Sequence, residues 1–224
     1  MSTQPTDDPI LELRLYSVAP GRLQDMEDRV QKDLRTLFPR HGVRPHGGWS
    51  MVSGPASPLF VYLTPWRNMM ERSKCWAGFY SDPGWAEART RTNAGSELVE
   101  SYEIMFLRAV CDWAPAPTAD CPIVEMVIQS VAIGQGPAVR EEVLQTTLPT
   151  LEAAGATVFG AFDILSGRPL PSMVFFLGWR DMNQRAAALG RLDQRLSNTH
   201  VPGKAPLLGR AEQYLMRSVP VDWA

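Results

Sequence analysis

The chain has few residues of the kinds that form cross-links or hold metal ions. It contains three cysteines, Cys75, Cys111 and Cys121, in 224 residues, and none has the CxxC spacing of a zinc site. An odd and sparse set of cysteines argues against a disulfide scaffold and favours a reducing compartment. The sequence therefore predicts a cytoplasmic protein without disulfides and without a bound metal ion.

Long apolar runs and a charge excess of one sign are also missing. No stretch approaches the roughly 20 apolar residues that span a bilayer, and the polar start MSTQPTDDP lacks the basic and apolar regions of a signal peptide. The formal net charge is -2, and the basic residues, nearly all arginine, are scattered. We therefore expect neither nucleic acid nor a membrane as a partner.

The common cofactor and nucleophile motifs are absent as well. The sequence has no GxGxxG or Walker-type phosphate loop, no GxSxG nucleophile elbow and no HExxH zinc motif. We therefore expect no cofactor. The chemistry that remains is proton transfer by polar side chains in an apolar pocket, with a small molecule as the partner.

What the sequence does contain is an internal repeat. ILELRLYSVAPG (residues 10–21) aligns with IVEMVIQSVAIG (residues 123–134) at an offset of 113 residues. The same offset aligns WRNM (residues 66–69) with WRDM (residues 179–182), and both copies end in Asp-Trp-Ala. A repeat of this length predicts two units of the same fold.

Each copy predicts the element order βαββαβ. Residues 10–18 alternate like a strand, and Leu23, Met26 and Val30 begin a run of apolar residues at helical spacing. A hairpin over residues 43–53 and 58–64, a second helix from Arg67 and a last strand over residues 99–110 complete the unit. This is the order of a ferredoxin-like unit, a four-stranded sheet with helices on one face.

An ordered set of motifs in the first copy resembles the NIPSNAP family of the dimeric α/β-barrel superfamily. The set consists of Glu12-Leu13-Arg14-x-Tyr16, Pro20-Gly21, His41-Gly42, Gly47-x-Trp49, Trp66 and Asp82-Pro-x-Trp85. The second copy has Val127, Gln129 and Phe159 in place of Arg14, Tyr16 and His46. The superfamily includes cofactor-free oxygenases, polyketide cyclases, lactone isomerases and haem-handling enzymes, so the resemblance implies a fold but does not select a reaction.

The expected fold is α+β, with two tandem ferredoxin-like repeats packing sheet to sheet as an intramolecular dimeric α/β barrel. The predicted boundaries are a disordered tail (1–9), a NIPSNAP-like first repeat (10–113), a linker rich in proline (114–122) and a degenerate second repeat (123–224). A homodimer of these pseudo-dimers is a further expectation.

The first strand carries the most suggestive polar residues. Glu12, Arg14 and Tyr16 share one face by the two-residue period of a strand, and the leucines between them share the other face, which we expect to pack on the helices. The polar face predicts either an ion-pair network between the two sheets or an anion-stabilising pair, Arg14 and Tyr16, for an enolate or carboxylate.

Histidine offers three candidates for a general base. His46, predicted to lie within a strand where the second copy has Phe159, is either a buried structural histidine, a base, or a metal or haem ligand. His41 falls at a helix end and favours capping, and His200 lies in a loop that is predicted to be on the surface. His46 is the catalytic choice.

Aromatic residues are concentrated in the first copy. Trp66 recurs as Trp179 and is predicted to be core, whereas Trp49, Tyr62 and Trp76 are candidates for lining a pocket that binds a flat ligand together with Glu12. The function predicted from these residues is a small-molecule enzyme that abstracts a proton from an aromatic or polyketide-like metabolite, leading to cyclisation or isomerisation. The alternatives are a cofactor-free monooxygenase and a non-catalytic ligand-binding or protein-interaction module.

Overall fold

The computed structural model describes residues 9–114, 121–199 and 207–223. His200 and most of the predicted linker lie outside these ranges. Eight strands are present within them: β1 (Ile10–Val18), β2 (Gly47–Ser53), β3 (Leu59–Trp66), β4 (Val99–Ala109), β5 (Ile123–Val131), β6 (Thr157–Ser166), β7 (Ser172–Trp179) and β8 (Leu208–Ser218).

Helices connect these strands in the same order in each half. The helices of the first half are α1 (Leu23–Arg29), α2 (Arg35–Arg40), α3 (Met69–Tyr80) and α4 (Pro83–Asn93). Those of the second half are α5 (Gly136–Glu142), α6 (Leu148–Ala153) and α7 (Met182–Thr199). One turn of π-helix joins α1 to α2 (Val30–Leu34), and another joins α5 to α6 (Val143–Thr147).

The strands form one closed barrel in the order β1-β3-β2-β8-β5-β7-β6-β4. All eight pairs of neighbouring strands are antiparallel, including the two seams where the halves meet, β2 with β8 and β4 with β6. Each half contributes four adjacent strands to the barrel. Because a closed barrel has no free edge, every strand is paired on both sides.

The inward-pointing side chains fill the barrel. Leu11, Leu13 and Leu15 belong to one buried cluster with Val124 and Met126 from the other half. The expectation that the leucine face of β1 packs on the helices is therefore wrong. Barrel closure turns this face inward and leaves Glu12, Arg14 and Tyr16 on the outer face, beneath the helices.

Local sequence accounts for where the helix after the hairpin begins in each half, α3 in the first and α7 in the second. Asn68 caps α3 by accepting a hydrogen bond from Glu71 N at 2.9 Å, and Asp181 caps α7 by accepting one from Gln184 N at 2.8 Å. In both cases the residue at the third helical position also accepts a hydrogen bond from the backbone ahead of the cap. Among the described residues, none of the helices combines the length and apolar character needed to cross a membrane.

An arginine crosses each seam between the halves. Arg217 on β8 donates to Glu27 on α1 at 2.5 Å, and Arg108 on β4 donates to Asp163 on β6 at 3.2 Å. Arg108 and Arg217 occupy matching positions in the FLRAV and LMRSV segments. The prediction that Glu12 and Arg14 form an ion-pair network between the halves is wrong, because their partners all lie within the first half.

Candidate functional site

A fully buried carboxylate on β1 anchors α3 to the barrel. Glu12 Oε1 accepts hydrogen bonds from Arg14 Nε at 2.8 Å and from Arg72 Nη2 at 2.6 Å. Its Oε2 accepts from the indole N–H groups of Trp66 at 2.8 Å and Trp76 at 3.1 Å. A carboxylate has about four acceptor sites, so Glu12 is fully occupied by protein donors. This arrangement leaves it no capacity for the predicted role in substrate binding.

The charge state of Glu12 follows from these partners. Burial alone would raise its pKa, but the hydrogen bond from Arg72 and the charge of Arg14 hold the pKa of Glu12 below its ordinary value. Glu12 is therefore ionised at neutral pH and compensates the buried Arg14 and the partly buried Arg72.

The second half repeats this anchor. Glu125 on β5 accepts hydrogen bonds from Trp179 Nε1 at 2.8 Å and from Arg185 at 2.5 and 2.9 Å. Glu125, Trp179 and Arg185 stand 113 residues after Glu12, Trp66 and Arg72. Sequence reasoning missed both arginines, although their conservation at the repeat offset was a signal that could have identified them. Because both halves keep the anchor, its role is to hold the helix to the sheet.

The first half adds a second polar layer centred on Arg14. Arg14 Nη1 donates to the hydroxyl of Tyr16 at 3.0 Å and to that of Tyr80 at 3.4 Å, and its guanidinium carbon lies 3.9 Å from the ring centroid of Trp76. The hydroxyls of Tyr16 and Tyr62 are 2.8 Å apart. The structure thus brings together four of the predicted site residues (Arg14, Tyr16, Tyr62 and Trp76) and adds Tyr80, which the sequence did not single out.

Burial controls the protonation of this layer. Burial raises the pKa of Tyr16 and outweighs the opposing effect of the Arg14 charge, and it raises the pKa of Tyr62 well above the ordinary value of a tyrosine. Burial alone would lower the pKa of Arg14, but the oxygens of Tyr62, Tyr16 and Glu12 outweigh it and raise the pKa. At neutral pH the layer is therefore a buried cation surrounded by neutral hydroxyl groups.

A cavity of about 380 Å³ lies beside this layer. It is bordered by the outer face of β1 and β4 and by helices α1, α2, α3 and α4, and it is partly open to solvent at Tyr80 and Tyr102. Its apolar wall consists of Met26, Leu34, Phe38, Phe79, Trp85 and Val99. Its polar wall consists of Tyr16, Tyr80, Tyr102, Arg29, Arg89 and Glu97. A volume of this size falls within the range of small-molecule sites, about 300–1,000 Å³.

Most of the residues predicted to line the ligand pocket lie elsewhere. Trp49 points into the barrel, where its ring centroid is 5.2 Å from that of Phe176. Tyr62 and Trp76 are buried in the core between the sheet and the helices, and neither borders the cavity. Rings such as Phe79 and Trp85, nearer the helix ends, form the wall instead. The prediction of an aromatic pocket in the first half agrees with the cavity, but the individual lining residues were wrong.

His46 does not share a site with Arg14 and Tyr16. It lies just before β2, not within a strand, and its ring centroid is 5.0 Å from that of Trp113, which packs against the cluster inside the barrel. Burial lowers the pKa of His46, and its Nδ1 has no hydrogen-bond partner among the described residues. His46 therefore does not border the cavity, and the predicted grouping of these three residues is wrong in its geometry.

The other described histidine has a structural partner. His41, at the end of α2, pairs through Nε2 with Asp82 Oδ2 at 2.7 Å, and Asp82 also caps α4 by accepting from Gly84 N at 2.7 Å. The Asp-Pro-x-Trp motif thus joins the end of α2 to the start of α4. In the parts of the chain that the structure describes, no three histidine, cysteine, aspartate or glutamate side chains are grouped to hold a metal ion.

Solved structures with the same fold cover nearly the whole chain. A putative monooxygenase from Lactobacillus acidophilus NCFM is 9% identical, with a TM-score of 0.60 and 95% of each chain covered. A putative monooxygenase from Fusobacterium nucleatum is 8% identical, with a TM-score of 0.59, and the match covers 96% of this chain and 94% of that one. An anthrone oxidase-like protein is 15% identical, with a TM-score of 0.51 and coverage of 96% and 94%. At such low identity these matches show the fold alone.

The sequence of the first half matches a known family model. The sequence matches no curated protein. The NIPSNAP family model matches residues 11–113, the stretch that runs from β1 through β4 and contains the Glu12 anchor, the Arg14 layer and the cavity. Residues 11–113 are therefore similar to the NIPSNAP family.

Proposed function

We propose that the first half is a small-molecule enzyme whose substrate is an aromatic ketone or phenol bound in the cavity beside the Arg14 layer. The observation that carries this proposal is the position of Tyr16 and Tyr80. Both side chains line the cavity, and both hydroxyls accept hydrogen bonds from the same buried cation. The aromatic side chains that also line the cavity, among them Phe79 and Trp85, suit a planar ring system.

The Arg14 layer is placed to stabilise negative charge on a substrate oxygen, and this determines which reactions it favours. A substrate oxygen that bonds to Tyr16 or Tyr80 gains negative charge when an adjacent carbon loses a proton, and the cation of Arg14 lies one hydrogen bond away. Donors fixed in a water-poor site stabilise such an oxyanion more strongly than water does. The layer therefore favours an enolate or phenolate, the intermediate shared by cyclisation, isomerisation and cofactor-free oxygenation.

The oxidative outcome can be written as a balanced reaction. The substrate carbon loses a proton to solvent, and the resulting carbanion gives its electrons to dioxygen. A CH₂ group then becomes a carbonyl group, with one oxygen atom retained and the other released as water. An anthrone is one substrate of this type, and the names of the full-length structural neighbours give a reason to test it first.

A non-catalytic binding protein is the second candidate, and the composition of the cavity wall favours it. Among the described residues that line the cavity there is no histidine, and the carboxylate of Glu97 is held by Arg89 Nη2 at 2.6 Å. This hydrogen bond and one from Asn93 lower the pKa of Glu97, which makes it a weak base. An enzyme built on this cavity therefore needs a substrate whose C–H or O–H group is already acidic.

Incubation with a hydroxylated anthrone distinguishes these outcomes. Binding is followed by quenching of tryptophan fluorescence, oxygen uptake with an electrode, and products by mass spectrometry. Consumption of one dioxygen per substrate indicates oxygenation, an isomeric product without oxygen uptake indicates isomerisation, and binding without turnover supports the second candidate. Absence of binding would reject both.

A matched pair of variants tests the role of the Arg14 layer in that assay. Tyr16→Phe and Tyr214→Phe each remove one hydroxyl that is bonded to an arginine, but Tyr214, bonded to Arg168 at 3.2 Å, is on β8 and away from the cavity. We expect Tyr16→Phe to lower turnover or affinity at least tenfold, as for loss of one oxyanion donor, and Tyr214→Phe to leave both unchanged. Equal effects would mean that the hydroxyl acts only through stability.

We also infer that the two halves arose by duplication of one βαββαβ unit, with the first unit keeping the site and the second serving as support. The equivalent anchors, the equivalent π-helical turns and the left-handed glycines Gly21 and Gly134, with φ of +79° and +78°, support this inference. Gly134 lies 113 residues after Gly21.

A further inference from the structure

One of the arginines that border the cavity has no negatively charged partner among the described residues. Arg29, the last residue of α1, is only 4% exposed. Its Nε donates to Thr92 Oγ1 at 2.7 Å and its Nη2 to Asn93 Oδ1 at 2.6 Å, and both acceptors are uncharged. Across residues 9–114, 121–199 and 207–223, no carboxylate lies within ion-pair distance of Arg29 and no acceptor engages its Nη1.

Burying a cation without an anion is costly, and the protonation of Arg29 reflects that cost. Burial, helped by the nearby charge of Arg22, lowers the pKa of Arg29 to about 10, although Asp33 and Glu97 act in the opposite direction from a distance. The other buried arginine of this region, Arg14, has Glu12 at 2.8 Å. Arg29 is therefore the buried cation of the cavity whose charge the described protein leaves uncompensated.

The position of Arg29 identifies what would compensate it. Arg29 lines the same cavity as Tyr16 and Tyr80, and its guanidinium carbon lies 5.6 Å from the ring centroid of Trp85 in the aromatic wall. A carboxylate on a ligand in the cavity would compensate the charge of Arg29 while the ligand's ring system packs on Trp85. Arginine is well suited to this task because its guanidinium donates in a fixed plane that matches a carboxylate.

We propose that Arg29 is the anion-recognition residue of the cavity, and that the natural ligand is an aromatic carboxylate. This proposal rests on the proposed function, since it assigns the substrate class of the same cavity. The second half has Glu142 at the position equivalent to Arg29. A carboxylate at that position would repel an anionic ligand, so the specificity for an anion belongs to the first half alone.

The test compares two probes of the same shape and different charge. Anthraquinone-2-carboxylate and anthraquinone-2-carboxamide are titrated into the full chain, with binding followed by quenching of tryptophan fluorescence at two salt concentrations. We expect the carboxylate to bind at least tenfold more tightly than the amide, because hydrogen bonds between charged partners are about twice as strong as neutral ones. The preference should shrink in high salt.

Two variants separate recognition from support of the fold. Both Arg29 and Arg22 bond to the end of α4 at Thr92 and Asn93. Arg29→Met removes the cation of the cavity, whereas Arg22→Met loosens the end of α4 and leaves that cation in place. Arg22 donates to Asn93 O at 2.9 Å and Thr92 O at 2.7 Å and does not line the cavity. Arg29→Met should abolish the preference for the carboxylate and retain the affinity for the amide. Arg22→Met should lower the melting temperature and keep the preference.

Each outcome decides the question. Equal binding of both probes by the wild-type protein, or an equal loss of preference in the two variants, overturns the role of Arg29 while leaving the cavity as a ligand site. Binding of neither probe removes the proposed function, and the assignment of Arg29 falls with it.

Discussion

The two halves of the barrel share a frame and differ in the layer above it. Both keep a buried glutamate that is hydrogen-bonded to a tryptophan and an arginine. This group holds helix α3 on the sheet in the first half and helix α7 in the second. Beyond it the halves diverge. Arg14, Tyr16, Tyr62, Trp76 and Tyr80 in the first half correspond to Val127, Gln129, Phe175, Leu189 and Asp193 in the second.

That contrast separates the residues that build the fold from those that build the cavity. The glutamate–tryptophan–arginine anchor holds a helix to the sheet in both halves, so its presence is not evidence of a ligand site. The polar and aromatic residues found only in the first half surround the buried cation of Arg14, and two of them, Tyr16 and Tyr80, line a cavity. A half with Val127 and Phe175 at these positions packs its helix without such a cation, so the fold does not require one.

The largest expected effect is the loss of folding stability when the buried glutamate of an anchor is removed. Glu12→Ala would leave the buried Arg14 and the partly buried Arg72 without their counter-charge, and removal of one partner of a buried pair costs about 3–5 kcal/mol. Glu125→Ala should cost less, because Glu125 faces one arginine where Glu12 faces two. The measurement is the free energy of unfolding in urea, and a larger loss in the Glu125 variant would contradict this account.

The next effect distinguishes the Arg14 layer from the anchor. Arg14→Met should lower turnover or affinity for an aromatic ligand by about 10²-fold or more, as for removal of oxyanion stabilisation. Its effect on stability should be smaller than that of Glu12→Ala, since Arg72 remains to compensate Glu12. Arg14→Lys should recover part of the activity, because lysine keeps the charge but not the planar contact with Trp76. The contrary result is full activity in the methionine variant.

Alkaline pH offers a milder test of the same layer. Burial raises the pKa of Tyr62, and it raises the pKa of Tyr214 in the second half to about 12. An unfolded tyrosine loses its proton near pH 10, so above this pH the folded state binds more protons and stability falls as pH rises. Each such tyrosine contributes a slope of about 1.4 kcal/mol per pH unit between its unfolded and folded pKa.

The variants Tyr62→Phe and Tyr214→Phe should each remove one such slope. Tyr62→Phe also copies the residue of the second half, Phe175, so its cost at neutral pH should be about 1 kcal/mol, the hydrogen bond to Tyr16. Unfolding in urea at pH 8, 10 and 11 provides the comparison. If the slope above pH 10 is unchanged in both variants, the tyrosines do not control alkaline stability.

The smallest expected effect is at His46. The equivalent of His46 in the second half is Phe159, so His46→Phe gives both halves the same residue. The His46 ring lies beside Trp113 at the barrel interior and does not border the cavity. Ligand affinity and turnover should stay within about twofold, and stability should change by less than about 1.5 kcal/mol, as for a swap that keeps shape. Loss of turnover in a stable variant would return His46 to the site as a base.

The fold could be predicted well from the sequence because its signals are local or repeated. The alternation over residues 10–18 matches β1 (Ile10–Val18), and the helical spacing from Leu23 matches α1. The direction in which each face of β1 points could not be read from the same alternation. Inside and outside are decided by closure of the barrel through strands that lie far apart in the chain.

The site was predicted only in part, for a related reason. Arg14 and Tyr16 sit on one strand face, so their proximity follows from local geometry, and the structure confirms it. Tyr80 and Arg29 are carried by other elements and look like ordinary helix residues in the sequence. His46 looked interior because its counterpart is Phe159, but the ring it contacts belongs to Trp113, after β4, and local pattern gives no hint of that contact.

The arginines that cross the two seams have a consequence for how the barrel can change. In a barrel made from two identical chains, every substitution appears twice, and a residue useful in one subunit must also be tolerated in the other. Here Glu27 and Asp163 meet Arg217 and Arg108 within a single chain. Each partner can therefore vary alone, and the pairing of the halves does not depend on protein concentration.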